Sequence, residues 1–283
     1  MPHRFHQLDV FSAQPLRGNP LAVVHGADTL DETAMAAFAR WTNLSETTFL
    51  LAPREPGADY RVRIFTPGGE LPFAGHPTLG SCAAWLAAGG VAAQPDVVVQ
   101  ECGVGLVRIR RDGARLAFAA PPLQRSGPLD EPLLACIAAG CGLPRAAIVG
   151  HQWVDNGPGW CAVLLPSAAE VLAVKPDWAR LGPVNLGLVA PQPAGADTQF
   201  EVRAFVPTLG VPEDPVTGSL NAGLAQWLIG AGLAPRAYVA AQGAALGRAG
   251  RVHVQHDGTD CWIGGEVAFC IEGTVELPAT MGR

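Results

Sequence analysis

The sequence predicts an α/β fold made of two similar halves, each a curved sheet around one buried helix. Its 283 residues exceed the usual size of a single domain. A unit of strand, Gly/Pro-rich loop and small-residue helix also occurs twice, at residues 61–90 and again at residues 203–232. The spacing of the copies predicts domains at 1–120 and 121–283, with the last strand, near 271–283, able to pack back on the first domain.

The two copies align through a shared R-x-F-x-P segment that precedes the loop. Further along, the alignment sets His76 against Asp214, each just before a helix. Residues 77–88 and 218–230 are small and apolar around most of the helical surface, which is typical of a helix enclosed on every side. Each half is therefore expected to build its sheet around its own central helix.

Hydrophobic periodicity and turn residues predict the other elements. The capping-box pattern Thr29-Leu30-Asp31-Glu32 predicts the start of one helix. Helices are expected at residues 29–42, 77–88, 131–139, 167–171, 176–181 and 218–230. Strands are expected at residues 4–11, 21–24, 47–51, 60–66, 96–100, 104–110, 115–119, 147–151, 161–165, 186–190, 199–206, 252–256, 261–271 and 274–277.

Composition excludes several classes of protein. Hydrophobic residues make up 49% of the chain and charged residues 16%, which predicts a packed globular protein. The net charge of −6 and the lack of basic runs argue against a nucleic-acid partner. The seven cysteines lack metal-site spacing and are expected to be reduced thiols. Without a secretion signal or an apolar run of about 18 residues, a soluble cytoplasmic protein with no membrane partner is predicted.

The starts of the two central helices are the first candidates for binding chemistry. Glycine allows close approach to the backbone, and the first turn of a helix offers unpaired N–H groups and a partial positive charge. The stretches Gly75-His76-Pro77 and Gly218-Ser219 could therefore hold a carboxylate. Alternatively, these residues merely end strands and start helices. If the halves face each other, His76 and Asp214 would look across a shared cleft.

Glu46 is a candidate general acid or base, at a helix–strand junction beside Leu44 and Phe49. A glutamate at such a junction is also often simply solvated. Glu70 and Glu213, in the repeated loops, have the same two interpretations. Nucleotide-binding, metalloprotease and nucleophile-elbow motifs are absent from the sequence, so no metal or cofactor is implied.

Five ordered motifs together resemble the phenazine-biosynthesis isomerase family of PhzF-like proteins. They are GNPLAVV at 18–24, LSETTFL at 44–50, RIFTPGGELPFAGHPTLG at 63–80, EDPVTGS at 213–219 and QGAALGRAGRVHV at 242–254. The resemblance implies a diaminopimelate epimerase-like fold. Such a fold has two pseudosymmetric domains, each a curved, mostly antiparallel sheet around a central helix, with the active site between them. It also implies a homodimer.

Epimerases and racemases of this wider fold group place a cysteine at each central helix start. Here the matching positions look like His76 and Asp214, while Cys82 lies inside the first helix. The resemblance therefore disfavours a two-thiol racemase. It implies instead that Glu46 alone carries a proton between two substrate carbons without a cofactor.

The resemblance also assigns supporting roles. His76 and Asp214 would orient the substrate and tune Glu46, Ser45 would position Glu46 or the ligand, and backbone amides would hold a substrate carboxylate. Those amides belong to Gly75, His76, Gly218 and Ser219.

The identity of the small carboxylate-bearing substrate does not follow from the resemblance, although trans-2,3-dihydro-3-hydroxyanthranilate is the family's best-known substrate. Two alternatives remain open. One is a two-base epimerase of an amino or hydroxy acid that pairs Glu46 with Asp214 or His76. The other is a catalytically silent protein that binds a small molecule.

Overall fold

The computed structural model describes residues 2–207 and 211–280. The chain forms two compact units. Unit 1 contains the residues up to Ala119 together with those from Gly264 onward, and unit 2 is the continuous segment Ala120–Ile263. The return to unit 1 therefore starts earlier than residue 271, where the sequence placed it, and residues 281–283 of that predicted strand lie outside the described part.

The elements of both units alternate short strands with few helices. In chain order they are β1 (Pro2–Val10), β2 (Asn19–Val24), α1 (Glu32–Thr42), β3 (Glu46–Leu51), β4 (Tyr60–Thr66), β5 (Gly69–Leu71), α2 (Gly75–Ala87), β6 (Val97–Cys102), β7 (Gly105–Asp112), β8 (Arg115–Ala119), α3 (Glu131–Cys141), β9 (Gly150–Trp153), β10 (Cys161–Leu164), α4 (Ala168–Ala173), α5 (Trp178–Leu181), β11 (Leu186–Pro191), β12 (Phe200–Val206), β13 (Val211–Asp214), α6 (Gly218–Gly230), β14 (Ala237–Gln242), β15 (Gly250–His256), β16 (Cys261–Gly265) and β17 (Val267–Glu276).

Unit 1 is a mostly antiparallel sheet curved around α2. Strand β1 pairs antiparallel with both β2 and β17, and β2 runs parallel to β3. Strand β4 pairs antiparallel with β3 and β5 and parallel with β6, which continues antiparallel into β7 and β8. Helix α2 contacts β1, β2, β3, β4, β6, β8 and β17. A flat sheet could not reach one helix from so many strands, so the sheet must curve around it.

Unit 2 repeats this connectivity. Strands β9 and β10 pair antiparallel, β10 runs parallel to β11, and β11 pairs antiparallel with β12. Strand β12 then pairs antiparallel with β13 and parallel with β14, which continues antiparallel into β15. Helix α6 is buried along most of its length. The predicted fold class, two α/β repeats of a curved sheet around a central helix, is confirmed.

Small residues let the central helix of unit 2 approach its strands. A Cβ on Gly187 of β11 would overlap Leu220 of α6, and a Cβ on Gly223 of α6 would overlap the Val154 carbonyl oxygen just after β9. Side chains at these positions would push the helix away from the sheet. The small, apolar surface noted in the sequence is therefore a packing requirement.

Several sequence predictions need correction. Helix α1 is capped by Asp31, whose side chain accepts a hydrogen bond from the Ala34 N–H, and not by Thr29. The strand expected at 147–151 starts only at Gly150, because residues 145–147 form a 3₁₀ turn. The strand expected at 261–271 is two strands, β16 and β17.

The sequence prediction also missed three strands, β5, β13 and β14. The first two are short segments rich in Gly, Pro and Glu, which have no strand periodicity of their own. They form because they pair with β4 and β12, which turns the expected loops into hairpins. None of the helices within residues 2–207 and 211–280 has the length and apolar character needed to cross a membrane.

Candidate active site

Glu46 is placed by the junction between α1 and β3. Asn43 ends α1 in the left-handed conformation, with φ of 52°, and Glu46 opens β3 directly afterwards. Strand residues two apart share a face, and Thr48 accepts a hydrogen bond from the Ser81 hydroxyl of α2 at 2.9 Å. The Glu46 side chain therefore lies on the α2 side of the sheet, where it is only 15% exposed.

His76 is the residue that the structure brings to Glu46. It is the second residue of α2, it is 5% exposed, and its Nε2 lies 3.4 Å from Glu46 Oε2. Burial lowers the pKa of His76 to about 3, and the Pro20 backbone carbonyl offsets that effect only in part. A carboxylate at this distance would favour protonation of an exposed histidine, but here the burial effect is larger. His76 is therefore neutral at pH 7, and its contact with Glu46 is not an ion pair.

Asn19 holds the other ring nitrogen of His76. It is fully buried at the start of β2, and its Nδ2 lies 3.4 Å from His76 Nδ1. The Pro20 backbone carbonyl accepts a further hydrogen bond from the ring. A ring with a pKa of about 3 is a poor proton carrier near neutral pH. Sequence reasoning did not single out Asn19, although it lies in the GNPLAVV motif.

Replacing Asn19 with Asp is expected to raise the pKa of His76, because a carboxylate beside Nδ1 favours the protonated ring. Two-bond ¹H–¹⁵N correlation spectra of the histidine rings, recorded over a range of pH, report the protonation, and the spectrum of His76→Gln assigns the signal. Asn43→Asp, which adds the same charge at an exposed site, should leave the titration of His76 unchanged. A His76 titration in Asn19→Asp equal to that of the wild type would contradict the expected effect.

The start of α2 has the features expected of a carboxylate-binding turn. Gly75 is its first residue and is buried, and the N-cap residue Ala74 provides no side-chain hydrogen bond to the first turn. Without such a cap, the N–H groups of this turn can be satisfied by a ligand. Ser45 precedes Glu46 and is half-buried.

At the start of α6, residues of unit 2 already bond to polar groups of the first turn. Gly218 is buried behind the N-cap residue Thr217, which also gives no side-chain cap. The Ser219 hydroxyl accepts a hydrogen bond from Trp160 Nε1 at 2.9 Å, and the Ser219 carbonyl accepts one from Asn156 at 2.8 Å. The Ser219 side chain is thus held by its own unit.

Asp214 belongs to unit 2, whereas Glu46 and His76 belong to unit 1. Asp214 ends β13, and its Oδ2 accepts a hydrogen bond from the Thr217 hydroxyl at 2.5 Å. Gln242 organises this loop: its amide donates to the Asp214 carbonyl at 3.1 Å and accepts from the Thr217 N–H at 3.0 Å. Sequence reasoning missed Gln242 as a site residue, although it opens the QGAALGRAGRVHV motif.

The match between His76 and Asp214 is wrong in register. The two central helices start at Gly75 and Gly218, so the structural counterpart of His76 is Ser219. Asp214 instead lies before the N-cap residue, in the strand of the preceding hairpin. The sequence alignment was misled because the acidic loop of the second copy has a different length.

Glu70 and Glu213 are structural residues. Glu70 forms an ion pair with Arg63 at 2.6 Å, and Glu213 forms one with Arg203 at 2.8 Å. In each repeat, the arginine of the R-x-F-x-P segment thus joins the two strands of its hairpin through an ion pair. Cys82 is also unsuited to proton transfer, because burial raises the pKa of its thiol to about 12.

The chain resembles known proteins along most of its length. The profile of the family described as phenazine biosynthesis-like protein matches residues 8–273. The chain is 36% identical to trans-2,3-dihydro-3-hydroxyanthranilate isomerase of Pseudomonas aeruginosa, over 90% of this chain and 91% of the relative. It is 35% identical to antisense-enhancing sequence 1 of Schizosaccharomyces pombe, over 96% and 98% of the two chains.

A solved structure shows the same architecture over the full length. The phenazine biosynthesis protein of the PhzF family from Enterococcus faecalis superimposes with a TM-score of 0.82 at 25% identity, covering 98% of this chain and 100% of that one. Sequence and structure therefore agree along nearly the whole chain. The protein belongs to the phenazine biosynthesis-like PhzF family and is an isomerase.

Proposed function

We propose that this isomerase shifts a proton within a small carboxylate-bearing molecule, with Glu46 as the single acid and base. The observation that carries the proposal is the contact between Glu46 Oε2 and the Nε2 of a buried, neutral His76. The Glu46 carboxylate takes a proton from one substrate carbon; the C–H electron pair forms a new double bond to the adjacent carbon, and the π pair of the original double bond moves to a second carbon. The resulting Glu46 carboxylic acid returns the proton to this second carbon on the same face.

In this proposal the other predicted residues bind the substrate. The uncapped first turns at Gly75 and Gly218 hold the carboxylate through backbone N–H groups. The Ser219 N–H joins the backbone groups that hold the carboxylate, and Asp214 and Ser45 bind and orient polar substrate groups. The name of the Pseudomonas aeruginosa relative makes trans-2,3-dihydro-3-hydroxyanthranilate the first compound to test.

Replacing Glu46 with Gln is expected to slow solvent proton incorporation by about 10²–10⁴-fold, the usual contribution of a general acid–base group. The amide keeps the size of the side chain but can act neither as a general base nor as a general acid. The measurement is deuterium incorporation into a turned-over substrate in deuterated water, followed by NMR.

Glu70→Gln is the matched control, because Glu70 is tied to Arg63 and should leave the rate unchanged. Wild-type incorporation by Glu46→Gln would refute the role of Glu46. The product stereochemistry distinguishes this mechanism from a two-base epimerisation, since inversion at one carbon requires a second base. A pKa of about 3 makes His76 a poor second base and leaves Asp214 for that role.

Two further expectations accompany the proposal. The seven cysteines are all free thiols, which supports a reducing, cytoplasmic location, to be checked by fractionation. A homodimer stays a prediction from the family resemblance, to be checked by sedimentation velocity.

A further inference from the structure

A cavity of about 270 Å³ lies in unit 2 and shares Gln242, which holds the Asp214 loop, with the candidate active site. One wall comes from the QGAALGRAGRVHV motif and includes Gln242, Arg248 and Arg251. The lining also includes Gln192 and Glu201. The proposed isomerisation gives the two arginines of this motif no role.

Glu201 is a buried carboxyl group with an unused acceptor. It lies in β12 and is 3% exposed. Its Oε2 accepts a hydrogen bond from the Gln192 amide at 2.9 Å, but within residues 2–207 and 211–280 its Oε1 has no hydrogen-bond partner. An unsatisfied buried polar atom costs free energy. A ligand that donates an N–H would remove this cost.

The surroundings of Glu201 favour a further cation beside it. Burial raises its pKa to about 7, and the nearby Arg251, the Gln192 hydrogen bond and the nearby Arg203 offset this only in part. An ammonium group bound beside it would favour the ionised form. The carboxyl therefore gains most from a cationic ligand once it is deprotonated.

The arginines give the same cavity an anion-binding side. Arg251 pairs with Asp197 at 3.2 Å, and the Asp197 side chain is 79% exposed. Solvent screens such a pair, so it contributes little free energy and can exchange for a ligand carboxylate. Arg248 lies on the same wall, in the loop that follows β14.

We propose that this cavity binds a small free α-amino acid, with its ammonium group on Glu201 and its carboxylate on Arg248 and Arg251. A buried acid and two guanidinium groups within one cavity match both charges of a zwitterion. A volume of about 270 Å³ suits a ligand smaller than the drug-sized molecules that usually need more than 300 Å³. This site lies wholly in unit 2 and does not depend on the role of Glu46.

The test is calorimetric titration of the full chain with glycine, L-alanine and L-serine, compared with acetate and methylammonium as single-charge probes. At least one amino acid should bind at least tenfold more tightly than either probe. Its affinity should rise about tenfold from pH 6 to pH 8, because that step ionises a carboxyl group with a pKa near 7. Equal affinity for acetate, or no heat with any amino acid, would overturn the proposal.

Variants separate the two halves of the site. Glu201→Gln keeps the shape and the Gln192 contact, and it should weaken amino-acid binding at pH 8 at least tenfold and remove the pH dependence. Arg248→Met should weaken binding at both pH values. Glu131→Gln, an exposed acid paired with Arg145 elsewhere in unit 2, is the control and should change nothing. Unchanged binding in Glu201→Gln, with its circular dichroism spectrum intact, also overturns the proposal.

Discussion

Replacing Arg203 with Met is expected to lower the free energy of unfolding by about 3–5 kcal/mol. The Arg203 and Glu213 side chains are only 5% and 9% exposed, and they form two parallel hydrogen bonds of 2.9 and 2.8 Å. Arg203 Nη1 also donates to the Val171 and Val174 carbonyls, at 3.1 and 2.6 Å. The variant therefore leaves a buried carboxylate unpaired and removes the donor that these carbonyls share.

The first repeat supplies the matched control. Arg63 pairs with Glu70 and with Glu32, whose side chain is 72% exposed. Solvent competes for that pair, so Arg63→Met should cost only about 0–1 kcal/mol. Urea titrations followed by tryptophan fluorescence and circular dichroism measure both losses. Equal losses in the two variants would show that burial does not set the strength of these pairs.

Replacing Gly223 with Ala is expected to destabilise unit 2 by about 1–3 kcal/mol, the usual cost of overpacking a core. Helix propensity alone favours alanine by about 1 kcal/mol. However, the new Cβ would overlap the Val154 carbonyl oxygen, a backbone atom that cannot rotate away. Helix α6 would have to move as a whole, so the clash should outweigh the gain in helix propensity and lower the free energy of unfolding.

Gly230 of the same helix tests that reasoning. A Cβ at Gly230 would meet nothing within 4 Å. Gly230→Ala should therefore leave the thermal unfolding midpoint unchanged or raise it, with a gain of up to about 1 kcal/mol. Thermal unfolding of both variants gives the comparison. A drop in the midpoint for Gly230→Ala, or none for Gly223→Ala, would contradict the packing explanation.

The fold could be predicted from the sequence where local signals and burial agree. Helix α6 and strand β8 have the predicted bounds, because a small-residue run and a hairpin turn signal mark their ends. Strands β5 and β13 were missed because they form mainly by pairing with β4 and β12. Local sequence patterns do not reveal which strands pair. Strand β14, AYVAAQ, is alanine-rich and has weak strand propensity of its own.

Local sequence features singled out Glu46 and His76 separately, and only the motif resemblance placed them in one site. Glu46 and His76 are distant in sequence, and their contact depends on how β3 packs on α2. Asn19 and Gln242 were missed because each acts through another residue. Asn19 contacts His76, and Gln242 holds the Asp214 loop. A polar residue that supports a neighbour has no sequence pattern beyond its presence in a motif.

The pairing of β1 with β17 has a consequence for synthesis. Register pairs run from Pro2 with Glu276 to Val10 with Val267, so the first strand made finds one of its two neighbours only when nearly the whole chain has been translated. Unit 2 is continuous and complete at Ile263. A chain synthesised to that point holds all strands of unit 2 but lacks β17. Synthesis therefore completes the second unit before the first, the reverse of the usual order of domains in a chain.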